Sequence, residues 1–214
     1  MKNVTKLFLI IAIFHIFFAG CGEIRNSNEV PVDVEIETAP DLDEVAAISD
    51  PGNDTSPNYT FSSTEVGTIS YGGSCSAGIT SAAVGSNTIT LNALSEGTYT
   101  DCTIIVTDTF GNVSDTLTLT TFEIDITSPT VSEVTVVTDP TNDTTPNVTF
   151  SSSEAGTVSY GGSCSSSTTS ATSDNNTITL DSLSDGTYSD CTITVTDTVG
   201  NVSNSLTITS FVVF

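Results

Sequence analysis

The sequence predicts an all-β protein built as two tandem β-sandwich units, and three observations carry that prediction. Short runs alternate apolar with Ser, Thr or Asn residues and stop at Gly, Asn and Asp turns, as strands with one buried face do. Charged residues make up only 14% of the chain, and β-branched Thr occupies many outward positions, where it suits a pleated surface. A long segment then recurs without a gap at an offset of 89 residues: Asn53 pairs with Asn142, Cys75 with Cys164 and Cys102 with Cys191. Residues 40–127 and 128–214 are the two predicted units.

In chain order, residues 1–20 come first and read as an export signal. Lys2 and Lys6 make a positive start, Leu7 to Phe18 an apolar stretch, and Ala19-Gly20 a small-residue exit. As a helix that stretch would span roughly 18 Å, short of the ~30 Å hydrocarbon core a permanent span requires. Phe18-Ala19-Gly20-Cys21 resembles the bacterial lipobox, with Phe18 where Leu is usual. The resemblance implies lipidation of Cys21, cleavage before it, and anchorage by acyl chains at about 0.8 kcal/mol per buried CH₂. Gly22 follows, not the Asp of inner-membrane retention, which implies an outer-membrane or cell-surface location.

Residues 21–39 are acidic, carry no turn-closed strand pair, and read as a flexible tether, with a stray strand as the alternative.

Within the first unit, same-face pairs two residues apart define the strands: Tyr59/Phe61, Ile69/Tyr71, Ile89/Leu91, Ile104/Val106 and Leu117/Leu119. Their counterparts are Val148/Phe150, Val158/Tyr160, Ile178/Leu180, Ile193/Val195 and Leu206/Ile208. Asp108–Asn112 and Asp197–Asn201 read as hairpin tips, with Gly111 supplying a positive φ. Leu94 to Tyr99 resembles a tyrosine corner, and Tyr188 repeats it. With these motifs, both units resemble bacterial immunoglobulin-like domains, tandem modules of cell-surface proteins. Two departures stand out: the chain has no Trp, and Tyr99 precedes Cys102 by three residues rather than two.

The resemblance places the end of the third strand beside the start of the sixth, which implies disulfides Cys75–Cys102 and Cys164–Cys191. A shared Cys₄ zinc site is the rival, but no CxxC spacing supports it. An Ig-like topology would also gather carboxylates where the units join. Asp50, Asp54 and Asp125 lie at the downstream end of unit one near Glu96, and Glu154 and Asp197 at the upstream end of unit two. These five are candidate calcium ligands; the competing reading is that they are turn formers bonding their own backbone. No other cofactor is expected.

The balance of 26 acidic residues against three basic ones excludes nucleic acid as a partner. Cleavage before Cys21 removes Lys2, Lys6 and His15 and leaves Arg25 as the one basic residue, so no general base stands ready for a nucleophile. A non-enzyme is expected: a lipid-anchored cell-envelope protein with a structural or adhesive role. The alternative is a surface lipoprotein recognising a glycan or protein through loop residues Phe110, Asn112 and Asn201. The units differ most at residues 77–86 against 166–175, the segment where specificity would reside.

Overall fold

A computed structural model of the chain describes residues 38–214. The expected export signal, Cys21, Arg25 and nearly all of the expected tether lie outside the described residues.

Nine strands form the first repeat: β1 Leu42–Ala46, β2 Asn58–Ser63, β3 Gly67–Gly72, β4 Ser81–Ala82, β5 Gly85–Thr90, β6 Gly97–Tyr99, β7 Thr103–Asp108, β8 Leu117–Thr118 and β9 Phe122–Ile124. One sheet runs β1-β2-β5 and the facing one β4-β3-β7-β8, while β6 and β9 pair as a separate ribbon. The second repeat has the same order: β10 Val131–Thr135, β11 Asn147–Ser152, β12 Gly156–Gly161, β13 Ser170–Ala171, β14 Asp174–Thr179, β15 Gly186–Tyr188, β16 Thr192–Thr196, β17 Leu206–Thr207 and β18 Phe211–Val213. All strand pairs within these sheets are antiparallel. The described residues are all-β, two immunoglobulin-like sandwiches in succession.

The alternation accounts for the packing. Tyr59, Phe61, Ile89, Ile104 and Val106 point inward and are buried, with Thr60, Thr88 and Thr107 on the opposite face. Each repeat closes its own core, one centred on Phe61, Ile104 and Phe122 and the other on Phe150, Ile193 and Phe211. Of the expected inward pairs, Tyr71 and Leu117 are only half-buried, as are Tyr160 and Leu206. The tyrosines sit at strand ends, where Tyr71 donates its hydroxyl to the carbonyl of Ile79 and Tyr160 to that of Thr168 at 2.6 Å.

Two devices were not visible in the alternation. The register of β1 on β2 shifts between Glu44 and Ala46, a bulge at the exposed Val45, while Glu44 shares the inward face of Leu42 two residues before it. Its carboxylate accepts the Thr120 N–H at 3.0 Å, the Thr120 hydroxyl at 2.7 Å and the Tyr59 hydroxyl at 3.1 Å. It thereby fills the break between β8 and β9. Burial opposes its charge, but those three donors outweigh burial and hold Glu44 below the ordinary 4.5. Glu133 serves Thr209 likewise, accepting its N–H at 3.1 Å and its hydroxyl at 2.6 Å. Val148 stands where Tyr59 stands in the first repeat, so Glu133 has no tyrosine donor.

Candidate functional site at the inter-repeat joint

The joint starts from the hairpin tip Asp197–Asn201. Gly200 takes a positive φ of 102° there, a conformation L-residues rarely adopt. The turn points three N–H groups at one carboxylate oxygen: Asp197 Oδ1 accepts from Val199 at 2.9 Å, Gly200 at 2.7 Å and Asn201 at 2.9 Å. Burial alone would raise the Asp197 pKa, but these donors and the Asn201 amide lower it, so the carboxylate stays ionised.

Asn201 carries the tip to its neighbour. Its Nδ2 donates to the other Asp197 oxygen at 2.9 Å, to the Asp125 carbonyl at 3.0 Å and to the Thr127 carbonyl at 3.2 Å. Its Oδ1 accepts a longer bond from Asn53 Nδ2 at 3.4 Å. One side chain thus ties the second repeat to the linker and to the first repeat. The linker is braced in turn, since Thr127 donates its N–H to Asp125 Oδ1 at 3.0 Å and its hydroxyl to Glu96 at 2.6 Å.

Around this clamp Asp125, Glu154 and Asp197 each offer a carboxylate oxygen, and the three lie within 4.8 Å of one another. Burial and the like charges of Asp125, Asp197 and Glu96 raise the Glu154 pKa, in that order. Three carboxylate oxygens at this spacing match a hard divalent cation, which takes oxygens from loops and needs several of them.

The structure brings together three of the five candidate ligands and separates the other two. Asp50 Oδ1 accepts the Glu123 N–H at 2.9 Å, stitching the loop after β1 to β9, and Asp139 repeats this on Val212. Asp54 Oδ1 accepts the Ser56 N–H at 2.8 Å, a local turn bond. Asp50 and Asp54 each hold a backbone N–H and lie outside the group formed by Asp125, Glu154 and Asp197. Of the loop residues proposed for ligand contact, Phe110 is 69% exposed at its hairpin tip. Asn112 bonds Asp108 through its backbone at 2.8 Å and its amide at 2.7 Å. Asn201 is corrected from an open loop contact to the joint, because its amide is already engaged.

The cysteines join Cys75 to Cys102 and Cys164 to Cys191, with Cα–Cα distances of 5.1 and 5.2 Å. Tyr99 donates its hydroxyl to the Ser95 carbonyl at 2.9 Å and Tyr188 to that of Ser184 at 3.0 Å, closing both tyrosine corners. Sequence reasoning passed over Asn53, Glu44 and Glu133. The 89-residue offset marked each as a repeated position without showing what it would meet.

No family model matches this sequence, and no curated protein matches it. Among solved structures, the chain is similar to the D00-D0 domain of intimin at 15% identity, covering 79% of this chain and 98% of that one, with a TM-score of 0.37. It is also similar to the fibronectin(III)-like modules of Clostridium thermocellum CbhA, at 14% identity, 80% and 93% coverage and a TM-score of 0.38. A third similarity is to SGBP-B of the Bacteroides ovatus mixed-linkage glucan utilization locus, solved with a mixed-linkage heptasaccharide. There identity is 19%, coverage 84% and 47%, and the TM-score 0.26.

Proposed function

We propose that this protein is a non-catalytic, lipid-anchored component of a bacterial cell envelope, holding two sandwich modules in a set arrangement for a structural or adhesive role. The observation that carries the reading is the Asn201 clamp. A flexible linker between independent binding modules has no need of a side chain bonded to both the linker and the preceding repeat. The lipobox-like Phe18-Ala19-Gly20-Cys21 supports the anchor, and the low content of Lys and Arg fits a surface kept soluble by acidity. Labelling cells with palmitate, then shaving intact cells with protease, tests the reading. Label on the native chain but not on Cys21→Ser, with the modules cut away by protease, is the expected result. Label on both chains or on neither removes the anchor.

A second element rests on the three converging carboxylates: the joint takes calcium, which would offset the repulsion focused on Glu154 and stiffen the linker. Calcium should raise the melting temperature of the native chain and leave Glu154→Gln unmoved. Equal melting of the native chain in calcium and in chelator would dismiss the ion and leave the clamp intact.

A further inference from the structure

We infer that copies of this chain associate head to tail, the upstream end of one copy's first repeat docking on the downstream end of another copy's second repeat. The joint inside the chain is the template. There the upstream end of the second repeat meets the downstream end of the first through Asn201 and Asn53. The 89-residue offset leaves one unused counterpart of each half: Asn112 on the first repeat and Asn142 on the second.

Both halves keep the geometry of the joint. Asn112 bonds Asp108 through its backbone and its amide, as Asn201 bonds Asp197. Among the described residues Asn112 Nδ2 has no further acceptor, whereas Asn201 Nδ2 reaches the Asp125 and Thr127 carbonyls. At the other end of the first repeat, Asp125 donates its N–H to Gly52 at 2.9 Å, which holds the Asp125 carbonyl beside Asn53. Phe214 donates its N–H to Thr141 at 3.1 Å and is held beside the exposed Asn142 in the same way.

The side chains around the two unused halves depart from the joint in one direction. Val84, Val66, Phe110 and Val113 flank the same end of the adjacent strands β4, β3, β7 and β8, and each is at least half exposed. With strands ~4.8 Å apart they form an apolar row across that end of the sheet. The second repeat has Ser173, Ala155, Val199 and Val202 in those places, on the end that meets the first repeat. Downstream, the second repeat exposes Val136 and Phe214 where the first has Ala47 and Asp125. Val66, Val84, Phe110, Val136 and Phe214 thus make the two uncovered ends more apolar than the two that meet within the chain.

This difference is what separate copies require. The linker makes contact at the joint intramolecular, so the joint tolerates the converging charges of Asp125, Glu154 and Asp197. Two copies have no linker between these ends and need apolar area in its place. Phe214 in the position of Asp125 also removes one carboxylate, leaving Glu65 and Asp108 as the counterparts of that cluster. Because the contact joins unlike ends, each added copy presents a fresh end and association continues beyond a dimer. The pairing depends neither on Cys21 nor on calcium.

The test uses the full chain with Cys21→Ser, so that introduced thiols are the only free ones, the other four cysteines being paired. A short bismaleimide should link Asn53→Cys to Asn201→Cys within one chain, which checks its reach at the joint. Asn112→Cys with Asn142→Cys on one chain should give a ladder of linked copies. Either single variant alone should stay monomeric, and the two mixed should give dimers and nothing larger. Phe110→Asp and Val136→Asp should each lower the linked yield about tenfold or more, as expected for losing a buried apolar side chain at the contact. The yield should rise with salt, because the copies share a negative charge. Dimers from Asn112→Cys alone, no ladder where the control link closes, or a ladder indifferent to Phe110→Asp and Val136→Asp would each overturn the pairing.

Discussion

Removing the Glu44 carboxylate is the sharpest probe of how these sandwiches are held, because the second repeat supplies its own control. Glu44→Ala deprives three donors of their acceptor. The Tyr59 side chain is 1% exposed, so a hydroxyl left without its partner there costs about 1–3 kcal/mol. Thr120 is exposed, so its N–H and hydroxyl turn to water and the net loss is about 0.5–1 kcal/mol. The sum is roughly 2–4 kcal/mol, against about 0.5–1 kcal/mol for Glu133→Ala, which strands only the exposed Thr209. A repeat of this size shifts by about 4–8 °C per kcal/mol. Calorimetry of the chain should therefore show Glu44→Ala lowering melting by roughly 10–25 °C and Glu133→Ala by a few degrees.

The same comparison has a pH signature. Glu44 is held below its ordinary 4.5 in the folded state, so its contribution is complete above that value and is lost as pH falls through the lowered one. Native chain and Glu44→Gln should differ at pH 7 and converge in stronger acid. Equal losses at Glu44 and Glu133, or a gap that widens as pH falls, would refute the assignment of Tyr59 and Thr120 as the cause.

Other predictions follow from individual contacts. Replacing Cys75 and Cys102 by Ser opens a 27-residue link and should cost about 3.5 kcal/mol by chain entropy, read as a lower urea midpoint under non-reducing conditions. Gly73→Ala should cost more than about 3 kcal/mol and lower expression of folded protein, since the residue sits at φ 70° and an added Cβ would come within 1.9 Å of the Asp101 carbonyl. Asn201→Ala should leave each core intact but loosen the joint, seen as faster hydrogen exchange at 125–127 with unchanged protection of β7 and β16. Glu154 has a raised pKa, so its ionisation opposes folding as pH rises above the ordinary 4.5. In chelator, Glu154→Gln should therefore be the more stable chain at pH 7, with the gap closing towards pH 4 in thermal melts.

Five of the nine strands in each repeat, and the doubling, were legible in the sequence, because burial on one side of a sheet imposes a period of two on the chain itself. Tyr59/Phe61 and Ile104/Val106 are local signals of this kind. The hairpin at Asp197–Asn201 was legible too, since Gly200 has to supply its backbone conformation. The sequence could not show what the outward side chains of those elements meet. Asp50 and Asp125 share composition and charge, yet one is spent on the Glu123 N–H while the other faces Glu154 and Asp197. The bond from the Thr120 N–H to the Glu44 carboxylate is likewise silent in a pattern of single residues, because the two lie 76 positions apart in the chain. Periodicity is a property of neighbours along the chain, and so the sequence by itself determined the repeat and the five alternating strands, while the short edge strands β4, β6 and β9 needed the fold to define them. Pairings between distant residues depend on where two folded surfaces come to rest, and only the tertiary structure decided that Asn201 would bind the joint and that Asp54 would not.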